Sequence, residues 1–140
     1  MPHAFPSADW CAAYKDAINA NAGYQETAKE WTHGPVAMVV KAEPKLGIAE
    51  DTAMWLDVHK GHCNDCRIVS FEEAKKAPFV LVADYARWKE VINRQLDPTK
   101  GMMQGKLKLT GHMPTMVKFV HASKQLVESA AKVPTKFPDE

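Results

Sequence analysis

Phe79-Val80-Leu81-Val82-Ala83-Asp84-Tyr85-Ala86-Arg87-Trp88, then Leu96-Asp97-Pro98, then Met102-Met103-Gln104-Gly105-Lys106-Leu107-Lys108-Leu109-Thr110-Gly111, is the stretch whose alternation of strand and helix decides the fold. Phe79–Ala83 is a short β-rich apolar run entered through Pro78, which suits a buried strand. Asp84 then caps a helix with Tyr85, Trp88, Val91, Ile92 and Leu96 as its apolar residues. Asp97-Pro98 places a capping carboxylate before a proline, so a short helix should start there and end near Gly105. Lys106–Thr110 alternates strictly, which predicts a strand with Leu107 and Leu109 on a dry face and Lys106 and Lys108 in water. Gly111 ends it.

Outward from this stretch, Met113–Ala131 is periodic at helical spacing. Pro114 fits a first turn, and Met116, Phe119, Val120, Ser123, Leu126, Val127 and Ala130 share one face, which predicts one long closing helix. Toward the N-terminus, Ser7 can cap a helix running to about Ala20, with Trp10, Ala13, Tyr14, Ala17 and Ile18 on one side. Asn21-Ala22-Gly23 reads as its stop. A second short helix presents Tyr24, Thr27, Ala28 and Trp31 before Gly34-Pro35 breaks it. Val36–Val40, Ala53–Val58 and Cys66–Ser70 read as strands, with Lys45–Ile48 a turn and the polar Lys60–Asp65 segment a hairpin connection. Glu72-Glu73 and Lys75-Lys76 read as a solvated turn. The order is α+β, most economically one sheet with helices packed on it.

A chain of 140 residues with 46% hydrophobic and 25% charged residues is expected to form a single domain, 1–140. Net charge is +1 without a long basic run, which argues against nucleic acid and leaves transient membrane contact open. No apolar run has the length of a membrane span. The first residues lack the charged and apolar blocks of a signal peptide, and three cysteines suit a reducing compartment, so a cytoplasmic protein is expected.

His59-Lys60-Gly61-His62-Cys63-Asn64-Asp65-Cys66 is the one metal-like cluster. His59, His62, Cys63 and Cys66 are zinc-type ligands within eight residues, but structural zinc sites usually join two separated pairs and no second pair exists. A metal or redox module centred there is therefore the alternative, and no cofactor the expectation. Nucleophilic catalysis has no signature: His112 and His121 read as surface or packing residues, and Gly101, Gly105 and Gly111 lack phosphate-loop spacing. The chain is expected not to be an enzyme. Met102, Met103, Met113 and Met116, with Trp55, Trp88 and Phe119, instead suit a cavity lined by adaptable apolar groups.

The three blocks that open this section, in their order and spacing, resemble the sterol carrier protein 2 (SCP-2) domain. The resemblance is closest over residues 79–120 and looser over 24–78. Residues 1–23 then form an N-terminal helix extension and 133–140 a short tail. The resemblance implies a single five-stranded mixed, mostly antiparallel curved sheet with helices on one face, enclosing an apolar tunnel. It implies a carrier that holds a fatty acid, fatty acyl-CoA, sterol or phospholipid non-covalently, or an accessory domain that dimerises or presents substrate. The expected lining is Trp55, Leu81, Trp88, Ile92, Met103, Leu107, Leu109, Met116, Phe119, Val120 and Val127.

Overall fold

The structure is a computed structural model that describes residues 2–140. In chain order the elements are β1 (His3–Ala4), α1 (Ala8–Asn19), α2 (Ala22–Thr27), β2 (Val36–Val40), a 3-10 turn (Pro44–Leu46), β3 (Thr52–His59), β4 (His62–Val69), α3 (Phe71–Ala74), β5 (Phe79–Ala83), α4 (Tyr85–Ile92), α5 (Pro98–Met103), β6 (Lys108–Thr110), α6 (Met113–Lys118), α7 (Val120–Ala131) and β7 (Thr135–Lys136). Side-chain caps start four of the helices. Ser7 Oγ accepts from the Trp10 amide, Asn21 Oδ1 from Tyr24, Ser70 Oγ from Glu73 and Asp97 Oδ1 from Thr99. Asn21 thus starts α2 as α1 ends.

Five strands form one mixed sheet in the order β4-β3-β2-β5-β6, with β2–β5 parallel and the other pairs antiparallel. Register fixes what each face carries. Met54, Met38, Leu81 and Leu109 lie side by side across four strands, and Leu56, Val36 and Phe79 form the next row. Strand side chains alternate, so these rows share one face. That face builds the main core with the helices. The other face carries Ala37, Val39, Ala53 and Val80, a smaller core closed by Ala74 of α3 and by Ala77.

The β3–β4 connection is tighter than its polar composition suggests. Only Lys60 and Gly61 form the turn, both with positive φ (50° and 82°), and β4 starts at His62 instead of Cys66. The Lys60 amide donates to Trp31 O at 2.8 Å, and a Cβ on Gly61 would stand 2.6 Å from Gln25 O, so α2 presses the hairpin closed. Asn64 and Asp65 read as turn residues because a β-bulge lies there: Cys63 pairs with Val58 and Asp65 with Asp57, which leaves Asn64 over. Residues three apart on a regular strand face opposite ways. The bulge turns both Cys63 and Cys66 inward, where both are buried beneath α1.

The closing helix is two helices. Phe119 (φ −99°, ψ 35°) leaves helical geometry and separates α6 from α7. Its ring meets Trp31 edge-on at 4.9 Å and His33 at 5.6 Å, contacts that hold the residue at the break. The terminal segments are tied to each other. The His3 amide donates to Pro134 O and the Phe5 amide to Lys136 O, which makes β1–β7 a parallel two-stranded ribbon. Beyond it, Tyr85 Oη donates to Asp139 Oδ1 at 2.6 Å, and Lys89 pairs with Asp139 and Glu140.

Two parts of this frame can be tested by substitution. Asn19 joins α1 to β4 with a reciprocal pair: its Nδ2 donates to Cys63 O at 2.9 Å and its Oδ1 accepts from the Cys63 amide at 2.8 Å. Asn19→Ala leaves two half-buried backbone groups unpaired and should lower unfolding free energy by about 1–3 kcal/mol in urea titrations; a loss below about 0.5 kcal/mol would show the pair to be idle. Burial pushes the Cys63 thiol from its ordinary 9.0 up to about 11. The hydrogen bond with Cys11, then burial, raises Cys66 further. A raised thiol pKa means that the unfolded chain ionises first as pH rises. The contribution of Cys63 is therefore whole below about pH 9 and is lost toward pH 11. Cys63→Val should flatten the fall in stability across that window. An equally steep alkaline fall in the variant would count against the assignment.

Candidate functional site

An apolar cavity lies between the inner face of the sheet and the helices. Its floor is Val36 and Met38 of β2, Met54 and Val58 of β3 and Leu81 of β5. Its walls and roof come from Phe5, from Trp10 and Tyr14 of α1, Tyr24 of α2, Trp31, Trp88 and Ile92 of α4, Met102 of α5, Met116 of α6, Phe119, and Ser123, Leu126 and Val127 of α7. The cavity volume is about 70 Å³. Five of its lining residues are only half-buried. Met38 lies mid-sheet and faces the cavity itself; Pro98 is on α5 and Ser123, Leu126 and Val127 are on α7, with Pro98 and Val127 sharing a neighbouring surface pocket where the two helices meet. The mouth is at that junction.

Four of the five Trp and Tyr residues in the lining bond their polar ends to the frame. Trp88 Nε1 donates to Val39 O at 2.8 Å, Trp31 Nε1 to Gly34 O at 2.9 Å and Trp10 Nε1 to Thr135 Oγ1 at 2.9 Å. Tyr14 Oη donates to Leu126 O at 3.1 Å. Each bond satisfies a group that would otherwise be stranded in apolar surroundings and leaves ring surface to face the cavity. Burial, followed by the neighbouring Cys66, raises the Tyr14 hydroxyl well above its ordinary value, and burial does the same to Tyr24. Both stay neutral at physiological pH. Among the described residues the lining contains no carboxylate, amine, imidazole or thiol.

Six of the eleven expected lining residues meet here: Leu81, Trp88, Ile92, Met116, Phe119 and Val127. Five do not. Trp55 sits between the inward-facing Met54 and Leu56, so alternation turns it to the opposite face, under the Arg67 guanidinium at 5.5 Å. Met103 is 70% exposed because helical phase turns its neighbour Met102 inward instead. Leu107 is buried, but beside α5, where a Cβ on Gly101 would meet its Cγ at 3.1 Å. Leu109 opposes Leu81 on the edge strand and packs at the margin of the core. Val120 follows the break at Phe119, which re-phases the helix and leaves Val120 outside the lining.

The wall missing from the sequence reading is the N-terminal segment. Phe5, Trp10 and Tyr14 are part of the site itself. Trp10 and Tyr14 on one face of a capped helix are a visible signal; Phe5 has none, because the β1–β7 ribbon places it. The zinc-type residues do not converge: His59 and His62 are exposed beside the turn, whereas Cys63 and Cys66 point into the core. Among the described residues, no group of three or more His, Cys, Asp or Glu is arranged to hold a metal ion. No helix among them is long and apolar enough to cross a membrane.

Comparison with known proteins agrees with this architecture. Residues 14–124 match the SCP-2 sterol transfer family. A crystal structure of sterol carrier protein 2 shares 32% identity, with a TM-score of 0.84 over 91% of this chain and 97% of that one. The solution structure of a conserved hypothetical protein from Thermus thermophilus, itself a candidate sterol carrier, shares 31% identity at a TM-score of 0.84 over 93% and 90%. The apo form of sterol carrier protein 2 from Yarrowia lipolytica shares the fold at 16% identity and a TM-score of 0.54 over 90% and 97%. No curated protein sequence matches the chain. An apolar cavity between sheet and helices, and a family match over most of the chain, lead to one conclusion: the chain belongs to the SCP-2 sterol transfer family.

Proposed function

We propose that this protein is a non-enzymatic carrier that holds a lipid with a hydrocarbon chain in the cavity between sheet and helices. The observation that carries this reading is the apolar lining of the cavity, whose Trp10, Tyr14, Trp31 and Trp88 bond their polar atoms to the frame. Such a site offers apolar contact and little else. The absence of acid, base and thiol from the lining favours carriage over chemistry. Each buried methylene is worth about 0.8 kcal/mol, so ten would supply roughly 8 kcal/mol before the costs of association. A reducing compartment such as the cytoplasm suits the three free thiols.

At about 70 Å³ the empty cavity is small for a lipid chain; an apolar cavity known to take up benzene is about 150 Å³. The lining must therefore yield. Met38, Met54, Met102 and Met116 are the side chains suited to it, because an unbranched thioether with three rotatable bonds can be displaced without moving backbone. Entry between α5 and α7 and displacement of these methionines together describe loading.

Native mass spectrometry of the purified protein, repeated after denaturation, is the direct test. A mass excess in the lipid range that leaves on denaturation is the expected result; repeated failure to retain or take up any fatty acid, sterol or phospholipid would refute the carrier reading. Met38→Trp and Met116→Trp should each fill the cavity. We expect affinity for a fluorescent fatty acid to fall about tenfold or more, near 1.4 kcal/mol, while the thermal transition stays cooperative. Unchanged affinity in both variants would place the ligand elsewhere.

A further inference from the structure

Beside the cavity mouth lies a second pocket of about 180 Å³, in which Leu96, Pro98 and Val127 are bordered by the charged residues Arg94, Asp97, Lys124 and Glu128. Two of these residues, Pro98 and Val127, also line the apolar cavity. The two spaces therefore adjoin across one apolar threshold, dry on one side and charged on the other. That is the geometry of a site for an amphiphile.

The charges in this vestibule are not equivalent. Asp97 is engaged locally, accepting from the Thr99 amide at 2.9 Å to cap α5. Glu128 Oε2 forms an ion pair with Arg94 Nη1 at 3.2 Å, in which the Arg94 and Glu128 side chains are 58% and 41% exposed, so exchange for another anion costs little. Lys124 is exposed and, among the described residues, joins no ion pair. Arg94 follows the C-terminal end of α4 with φ 63°, a left-handed position that glycine adopts more easily. A long cation stands there nonetheless, over the pocket. The surroundings reinforce the sign. From Pro98 to Val127, the segment that supplies α5, α6 and most of α7, there are five lysines and no aspartate or glutamate, in a chain of 18 basic and 17 acidic residues. Such a segment raises the local concentration of anions at the mouth.

We propose that this vestibule receives the anionic head of a single-chain amphiphile whose tail occupies the cavity, with Lys124 and Arg94 as the head-binding residues. The assignment rests on the carrier reading and narrows it, from apolar ligands in general to those that end in a carboxylate or a comparable anion. Neutral sterols and alcohols would use the cavity alone. Arg94 is supplied to the bound head by release from Glu128, and Lys124 is free from the start.

Paired ligands of one chain length test this. Binding of hexadecanoate and of hexadecanol is measured by displacement of a fluorescent lipid probe, in the wild-type protein and in Arg94→Gln/Lys124→Gln. The wild type should favour the acid by about tenfold, as one or two charge-assisted contacts at a solvent-exposed mouth provide. The double variant should bring the two ligands within about twofold, and raised salt should erode the preference in the wild type alone. Hexadecanol binding reports the apolar cavity, in which neither side chain takes part, and so checks that the variant is folded. Equal affinities for acid and alcohol in the wild type, or a preference that survives the double substitution, would overturn the head-binding assignment while leaving the carrier reading in place. Loss of binding for both ligands in the wild type would overturn the two together.

Discussion

A space lined by side chains that could otherwise touch is a standing cost to the folded state, and the rest of this structure is organised to bear it. At about 24 cal/mol per Å³, a cavity of about 70 Å³ costs near 2 kcal/mol. That is a sizeable fraction of the stability of a domain this size. Left unrestrained, Phe119, Met116 and the aromatic residues of α1 would collapse toward Met38 and Leu81. What prevents it is a set of ties from the walls to the frame. Trp88 is fixed to the backbone of β2, Trp31 to the loop before β2, Trp10 to the C-terminal ribbon and Tyr14 to α7. Each tie uses a polar group that had to be satisfied in any case. The same four bonds therefore keep the site open and keep it dry.

The frame is closed by residues distant in sequence. Asn19 joins α1 to β4, and Asn21 joins the start of α2 to Ser129 and Gln125 of α7. The β1–β7 ribbon ties one terminus to the other and seats Phe5 against Trp10 and Phe137. All three sets of contacts hold helices around the cavity. The opposite sheet face needs no such device: its small residues, Ala37, Val39 and Ala53, share one buried cluster with Ala74 of the four-residue α3. One sheet thus separates a filled core from an unfilled one.

Much of this is legible in the sequence where a single rule acts alone. Short β-rich apolar runs, capping residues and Pro/Gly breaks locate β2, β3, β5, α1, α4 and α5; helical phase picks out Trp88, Ile92, Met116, Phe119 and Val127 as inward-facing, and the apolar run of β5 carries Leu81. The failures occur where two rules compete. Trp55 reads as lining on its size, yet alternation places it outside. Cys63 reads as turn because Asn64 and Asp65 are turn-formers, yet they mark a bulge, and only the register with Asp57 and Val58 shows it. Met113–Ala131 carries one unbroken helical pattern, and nothing in it marks Phe119 as the break; the ring contacts with Trp31 and His33 that hold it there are tertiary. Phe5 and the C-terminal strand are invisible for the same reason.

A ligand that binds only the folded state adds stability in proportion to the logarithm of its concentration over its dissociation constant. Here a second contribution should join it, since occupying the cavity also removes the cost of keeping it empty. The two contributions act on different parts of the molecule. Mass action stabilises the fold as a whole, whereas filling relieves the residues that touch the space. Phe119 is the residue on which they meet: it lines the cavity, separates α6 from α7 and packs on Trp31. A chain pressing on its ring can move α6 without disturbing the β-sheet, because the sheet's own hydrogen bonds do not pass through that helix. In the floor the sheet's hydrogen bonds hold the backbone of β2, β3 and β5, so only side chains such as Met38 and Met54 yield there, whereas the roof can also shift its helices. Their meeting line, from Pro98 to Val127, is where the cavity opens.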